Sequence, residues 1–253
     1  VSLGWSRMTY AADTGAVLHT TTSGGNVYAI PSGYADAVKQ LQANGCQLNL
    51  SVFMDNNGGA LAAMLADANG RSQAVQAILT EATRTYADLG SSLYTGVTID
   101  FEGLAGSTNQ ANFTAFLQAL SRQLQAKNLR LAVAVMPATA DGAYYNGYDY
   151  RAIGDLADKV ILMAHDYQPS KLTGYTGTTY YKNAALTPFQ SVYDSLRVAT
   201  DPNTGVQDTS KLALAISSAA NAWQVDANGK LVSETPTFPT ASTLLTRMKG
   251  GAT

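Results

Sequence analysis

Gly96-Val97-Thr98-Ile99-Asp100-Phe101-Glu102 is the stretch on which the fold turns. Val97, Ile99 and Phe101 alternate with Thr98, Asp100 and Glu102, the period of two that sends successive side chains to opposite faces of a strand. One side is wholly apolar and asks for burial against helices; the other carries two carboxylates. A barrel strand has two such sides, one toward its helices and one toward a crowded interior. An open doubly wound sheet would usually be apolar on both sides and often carries a glycine-rich phosphate loop after its first strand; neither is evident here.

Neighbouring runs repeat the split. In Leu129 to Met136, Leu131, Val133 and Val135 face out against Ala132, Ala134 and Met136; in Lys211 to Ser217, Leu212, Leu214 and Ile216 face out against Ala213, Ala215 and Ser217. Small residues on the inner side leave room for a ligand. Ser2 to Tyr10, Cys46 to Met54 and Lys159 to Asp166 read as further strands. Between them, helical periodicity puts Phe113, Phe116, Leu117, Leu120 and Leu124 on one face of Asn109 to Lys127. It does the same with Val75, Ile78, Leu79, Ala82 and Tyr86 in Ser72 to Leu89. Thr187 before Pro188 reads as an N-cap, and Gly45 and Gly90 as residues that close helices. The alternation of strand and helix predicts βα units around a parallel sheet, an α/β fold of the (β/α)₈ TIM-barrel type. No linker and no fixed repeat divides residues 1–253, so one barrel domain is expected. Residues 140–150 and 168–186, rich in Tyr, Gly, Asn and Thr, are expected as long loops on one barrel face.

The composition narrows the partner. Of 253 residues, 46% are hydrophobic and 13% charged, enough to bury a core and unlike a disordered chain. Sixteen basic and 18 acidic residues, without a run of either, give a net charge of −2 and argue against a nucleic-acid surface or a polybasic membrane contact. A single cysteine, Cys46, excludes an internal disulfide and reads as a buried small side chain; two histidines, His19 and His165, make no zinc-type cluster. No metal and no cofactor is expected. No stretch approaches a membrane span, and the abundance of Thr, Ser, Asn, Gln and Ala with few Lys is loosely that of an exported protein.

The chemistry concentrates on the inner side of Gly96 to Glu102. Asp100 and Glu102, two residues apart on one strand, project side by side at its C-terminal end, where barrels keep their active sites. A neighbouring carboxylate penalises the ionised form of Glu102, so Glu102 is expected to remain a proton donor while Asp100 stays charged. The plainer reading gives both residues salt bridges or a loop-capping role at the barrel rim.

Thr95-Gly96-Val97-Thr98-Ile99-Asp100-Phe101-Glu102 resembles the Asp-Gly-x-Asp-x-Asp-x-Glu signature of glycoside hydrolase family 18. Leu131 to Pro137 is similar to that family's fifth strand, Leu162-Met163-Ala164-His165-Asp166-Tyr167 to its Met-x-Tyr-Asp sixth strand, and Lys211 to Trp223 to its seventh. The Gly-Val-x-Ile-Asp-Phe-Glu version, with Tyr148-Asp149-Tyr150 ahead of strand six, is closest to the spore-cortex and germination branch. The resemblance implies retaining hydrolysis of β-1,4 linkages at N-acetylglucosamine by substrate assistance. Glu102 would be the general acid, and Asp100 would orient the acetamido group and stabilise the oxazolinium-like cation. His165 stands where the family has a tyrosine that bonds the acetamido oxygen; it could instead be an interior histidine, with Tyr167 in that role. Met136, Met163 and Asp166 are expected to line the pocket. Trp5 and Trp223 are expected either to stack on sugar faces or to pack in the core.

Thr95 and Thr98 replace two family aspartates, and Thr98 leaves Asp100 without the neighbour that would share its proton. Strands two to seven are recognisable and the first and eighth are not, so the chain is expected to be truncated at both ends. The implied partner is a GlcNAc-containing glycan, either chitin or a peptidoglycan-type polymer, met outside the cell or at the spore. Retention of Glu102 favours a hydrolase over a lectin-like barrel that binds glycan without cutting it. An inverting hydrolase or a phosphate-binding barrel outside the family is a third reading.

Overall fold

The computed structural model of the chain describes residues 1–253 apart from 24–25, 138–145, 166, 168–169, 218 and 250–253, and apart from the side chains of 247 and 248. It forms two compact units. The first comprises Val1–Met163 and Arg197–Leu214, the second Ala164–Leu196 and Ala215–Thr253. The chain changes unit after a strand, within a helix and within another strand. A sequence with no linker is the natural outcome of such crossings.

The first unit is built on β1 (Ser2–Ala11), β2 (Gly15–His19), β3 (Asn49–Asp55), β6 (Gly96–Glu102), β7 (Arg130–Val135) and β8 (Lys159–Met163), with β9 (Leu212–Ala215) completing a seven-stranded sheet ordered β2-β1-β3-β6-β7-β8-β9. The pairs β1/β3, β3/β6, β6/β7 and β7/β8 are parallel. Two short strands, β4 (Thr85–Tyr86) and β5 (Ser91–Ser92), form a separate hairpin. Crossovers run through α1 (Tyr34–Ala43), α2 (Ala60–Ala66), α3 (Ala68–Ala82), α4 (Ser107–Gln125) and α5 (Tyr150–Leu156). This is a mostly parallel sheet with flanking helices, a partial (β/α) barrel.

Packing fixes which way each strand faces. Leu50, Val52 and Met54 on β3 and Val97, Ile99 and Phe101 on β6 are at most 3% exposed. Facing them in the core are Leu61, Met64 and Leu65 of α2, Ile78 of α3, and Phe113, Phe116, Leu117 and Leu120 of α4, all fully buried. Six such side chains at roughly 1.5–3 kcal/mol each far outweigh any polar contact on the opposite side, so the helix side of the sheet sets the parity.

Several sequence expectations change in detail. The helix expected over Ser72 to Leu89 starts earlier and stops earlier. Asp67 caps α3 by accepting from the Asn69 and Gly70 amides, each at 3.0 Å, and the chain turns extended at Thr85. Tyr86 and Leu89 fitted the helical period by coincidence, and Gly90 lies between β4 and β5 instead of closing a helix. Gly45 (φ 70°) does close α1: its amide bonds Gln42 at 2.9 Å and the Cys46 amide bonds Leu41 at 3.0 Å, the double closure that a left-handed residue permits. The expected helix cover over β9 is not found among the described residues, where Leu214 and Ile216 are 42% and 66% exposed.

The second unit has its own small core of Leu172, Ala184 and Leu231, with Tyr181 and Trp223 packed against it. Isolated antiparallel bridges Ala222↔Thr237 and Val225↔Leu231 order one of its segments. Residues expected only as loop, such as Leu172 and Ala184, are therefore core here. In α6 (Phe189–Ala199) the first intrahelical bond runs from the Val192 amide to the Pro188 carbonyl at 3.1 Å, and the Thr187 hydroxyl makes no capping bond, so the cap falls on Pro188. A last helix, α7, spans Ala241–Lys249. Among the described residues no helix is long and apolar enough to cross a membrane.

Candidate active site

Register carries the helix-side parity across to the other face. β3 and β6 pair Ser51 with Thr98, Phe53 with Asp100 and Asp55 with Glu102; β6 and β7 pair Thr98 with Ala132 and Asp100 with Ala134. In-register neighbours of a parallel sheet point the same way, so Thr98, Asp100 and Glu102 share a side with Ser51, Phe53, Asp55, Ala132 and Ala134. Ala134 beside Asp100 leaves that carboxylate space. Asp100 and Glu102 are half-buried.

The face is graded along β6. At the lower end, Thr98 is 3% exposed, 2.7 Å from the Ser2 hydroxyl and accepting from Asn49 Nδ2 at 3.1 Å. Thr95, just before the strand, accepts from the Leu48 amide at 2.9 Å and so ties the entries of β3 and β6 together. Thr98 and Thr95 are hydrogen-bonded spacers where the family motif has aspartates. At the upper end a cleft of about 230 Å³ opens, lined by Asp55, Asn56, Asn57, Glu102, Gly103 and Met136.

Asp55, Asn56, Asn57 and Gly103 escaped the sequence reading. Asp55 makes a 2.7 Å ion pair with Arg7, whose guanidinium also lies over the Phe53 ring at 5.6 Å; Tyr28 stacks on the same ring at 4.9 Å. Arg7 therefore offsets the charge of the carboxylate in register with Glu102. Asn56 joins two strand tips: its amide donates to the Glu102 carbonyl at 3.0 Å, and its Nδ2 donates to the Gly103 carbonyl at 3.3 Å. Its Oδ1 accepts from the Ala62 amide at 2.9 Å. Asn57 turns its amide back to Asp55 at 2.9 Å. The alternation of Leu50, Val52 and Met54 against Ser51, Phe53 and Asp55 was the available signal for Asp55.

Of the residues read from sequence, Thr98, Asp100, Glu102 and Met136 come together on this side. Met163, 8% exposed at the end of β8, shares it by alternation, since Ala134 pairs with Ile161. Trp5 is committed elsewhere. Its ring meets Tyr34, the first residue of α1, edge-on at 5.9 Å, and Tyr34 in turn meets Tyr86 of β4 at 5.7 Å. The register of β1 against β3 shifts between Leu3 and Ser6, on either side of Trp5.

His165, Tyr167 and Trp223 belong to the second unit. His165 is half-buried just after β8. The Tyr167 hydroxyl lies 2.8 Å from that of Ser195, and its amide donates to Leu186 at 3.1 Å. Trp223 packs on the Leu172, Ala184 and Leu231 core, and its buried indole N–H meets no acceptor among the described residues. Asp166 lies outside the described residues.

Comparison with known proteins places this arrangement. A 75-residue segment, 29% of this chain, is 40% identical to the sporulation-specific glycosylase YdhD of Bacillus subtilis (strain 168), of which it covers 18%. The YdhD crystal structure is similar over 93% of this chain and 72% of that one, with a TM-score of 0.64 at 19% identity. A chitinase of Chromobacterium violaceum is similar over 99% of this chain and 68% of that one, at 0.68 and 22%. The spore cortex-lytic enzyme SleL of Bacillus megaterium is similar over 86% and 46%, at 0.62 and 21%. At these identities the structural likeness establishes the fold, and the chain spans less than half of SleL. The profile of Glycosyl hydrolases family 18 matches residues 20–246, which include β6 with its paired carboxylates and all of the cleft. The chain belongs to glycosyl hydrolases family 18.

Proposed function

We propose that this domain hydrolyses β-1,4 linkages at N-acetylglucosamine in a chitin- or peptidoglycan-type glycan, with retention of configuration and with the substrate's own acetamido group as nucleophile. The observation that carries the reading is the placement of Asp100 and Glu102 on one face at the C-terminal end of β6, with Glu102 lining the cleft. Family membership supports it, as do the chitinase and cortex-lytic names of the relatives.

In this reading Glu102 gives its proton to the glycosidic oxygen as the bond from that oxygen to the anomeric carbon breaks. The acetamido carbonyl oxygen bonds to the anomeric carbon, and the Asp100 carboxylate accepts the amide N–H while offsetting the positive charge that develops on the oxazolinium ring. Glu102, now a carboxylate, takes a proton from the water that opens the ring, which restores the acid and leaves the original configuration. Such polymers lie outside the cytoplasm, so the enzyme would work in an extracellular or spore-associated setting.

The test is incubation with chitooligosaccharides and with peptidoglycan, products read by mass spectrometry and the first-formed anomer by NMR. Cleavage at GlcNAc with the β-anomer formed first is expected. Glu102→Gln should bind the same oligosaccharides and release nothing. Wild-type turnover in that variant, or an initial α-anomer, would defeat the assignment.

A further inference from the structure

The Tyr148-Asp149-Tyr150 segment takes no part in the scheme above, yet it is tied to both strand tips that flank the cleft. Tyr148 is 3% exposed, and its hydroxyl donates to the Phe101 carbonyl at 2.6 Å. One phenol thus ties down the strand end immediately before Glu102. The Tyr148 ring meets Phe113 of α4 edge-on at 5.7 Å, which fixes its direction. The segment before it is equally constrained: Asn146 Oδ1 accepts from the Gly106 amide at 2.5 Å, and Gln110 donates to the Tyr148 carbonyl at 3.2 Å. A Cβ on Gly147 would stand 2.6 Å from the Leu104 carbonyl carbon, so only glycine allows the approach. Tyr150 does the equivalent for β7, donating to the Met136 carbonyl at 2.7 Å, and Asp149 caps α5 by accepting from the Ala152 amide at 3.0 Å.

From this geometry we propose that Tyr148 is a positioning residue for Glu102, clamping the tip of β6 on the side opposite Asn56 so that the acid is held at the cleft. The inference rests on the reading of Glu102 as the acid. Burial pushes the Tyr148 phenol up, and the charges of Glu102 and Asp100 act in the same direction, so it stays a donor throughout the working pH range.

Tyr148→Phe keeps the ring and its contact with Phe113 and removes only the oxygen. With the tip loosened, kcat should fall about tenfold and KM should change by less than about twofold, because misplacing a proton donor costs in the transition state far more than in binding. Amide hydrogen exchange over residues 101–106 should quicken by about tenfold in the same variant, the measure of a local opening made easier. Wild-type kcat, or a change confined to KM, would overturn the proposal. Should Tyr148→Phe fail to fold, Asn146→Ala loosens the segment from its far end; there a smaller fall in kcat with faster exchange is expected, and no change in either overturns the clamp. Wild-type protein inert toward every GlcNAc polymer would refute the reading of Glu102 separately, and exchange at the tip would still decide the clamp: unchanged protection in Tyr148→Phe refutes it.

Discussion

Truncating Phe101 to alanine tests the parity on which the site depends. Its ring is fully buried, stacked on Phe116 at 5.4 Å and 26° and tilted toward Phe113 at 6.0 Å and 37°, both on α4. Because successive strand residues alternate, a Phe101 directed into the helices puts Asp100 and Glu102 on the opposite side. Removing a buried phenylalanine costs about 3–5 kcal/mol, transfer and residual cavity together. Two ring contacts, at about 0.5–1.5 kcal/mol each beyond the area they bury, place Phe101→Ala in the upper half of that range. In a chain of this length about 4 kcal/mol corresponds to a loss of roughly 8–16 °C in Tm. A Phe101 facing the cleft would behave differently: its loss would leave stability within about 1 kcal/mol and raise KM. The assay is urea unfolding followed by Trp5 fluorescence in a Trp223→Phe background, since Trp5 and Phe101 share the first unit. Ile99→Val, on the same side, serves as a graded control at about 0.5–1.5 kcal/mol. A loss below about 1.5 kcal/mol for Phe101→Ala, at unchanged m, would refute the outward orientation and with it the placement of both carboxylates.

Asp100→Asn should lower kcat by about two to three orders of magnitude with the fold intact, through loss of charge beside a developing cation; a less than tenfold effect in steady-state kinetics would leave Asp100 only a positioning part. A pH prediction concerns Asp67, whose carboxyl is held below its ordinary value first by the Asn69 amide, then by the Tyr10 hydroxyl and the Gly70 amide. A folded-state value below the unfolded one gives stability that is present above about pH 4 and lost as pH falls through the folded value. The stability gap between wild type and Asp67→Asn should therefore narrow on acidification below about pH 4 in denaturant titrations; a constant gap from neutral pH down to about pH 3 would contradict it.

What could be read from sequence divides along a physical line between local and non-local information. β6 was legible to the residue because alternation is local: Val97, Ile99 and Phe101 announce burial whatever lies around them. α4 was legible for the same reason, its five apolar positions recurring over about three turns. β2 was not, because Gly15–His19 is extended only through its pairing with β1, and nothing within those five residues demands it. The extent of α3 was misjudged at both ends. Asp67 caps from one residue ahead of a first turn, Ala68–Asn69–Gly70–Arg71, that carries no apolar stripe, and a helical period ran on through Tyr86 into residues that pair as a hairpin.

The site divides in the same way. Asp100 and Glu102 were visible because both stand on one strand with an apolar opposite side. Arg7, Asp55 and Asn56 were not, because their relation to Glu102 is fixed by the register of β1 on β3 and β3 on β6, a property of pairs of strands. Sequence leaves Trp5 between sugar stacking and packing because its sequence neighbours do not decide it; its edge-on contact with Tyr34 is a tertiary one. Tyr148 and Tyr150 stood out only as a motif. Their work, bonding the carbonyls of Phe101 and Met136, depends on main-chain atoms that carry no sequence signature at all. The groups that would do chemistry in this barrel are thus written into the side chains of one strand, and the groups that hold them still are written into contacts with backbone. A substitution scan confined to the charged residues of the cleft would find the first set and miss the second.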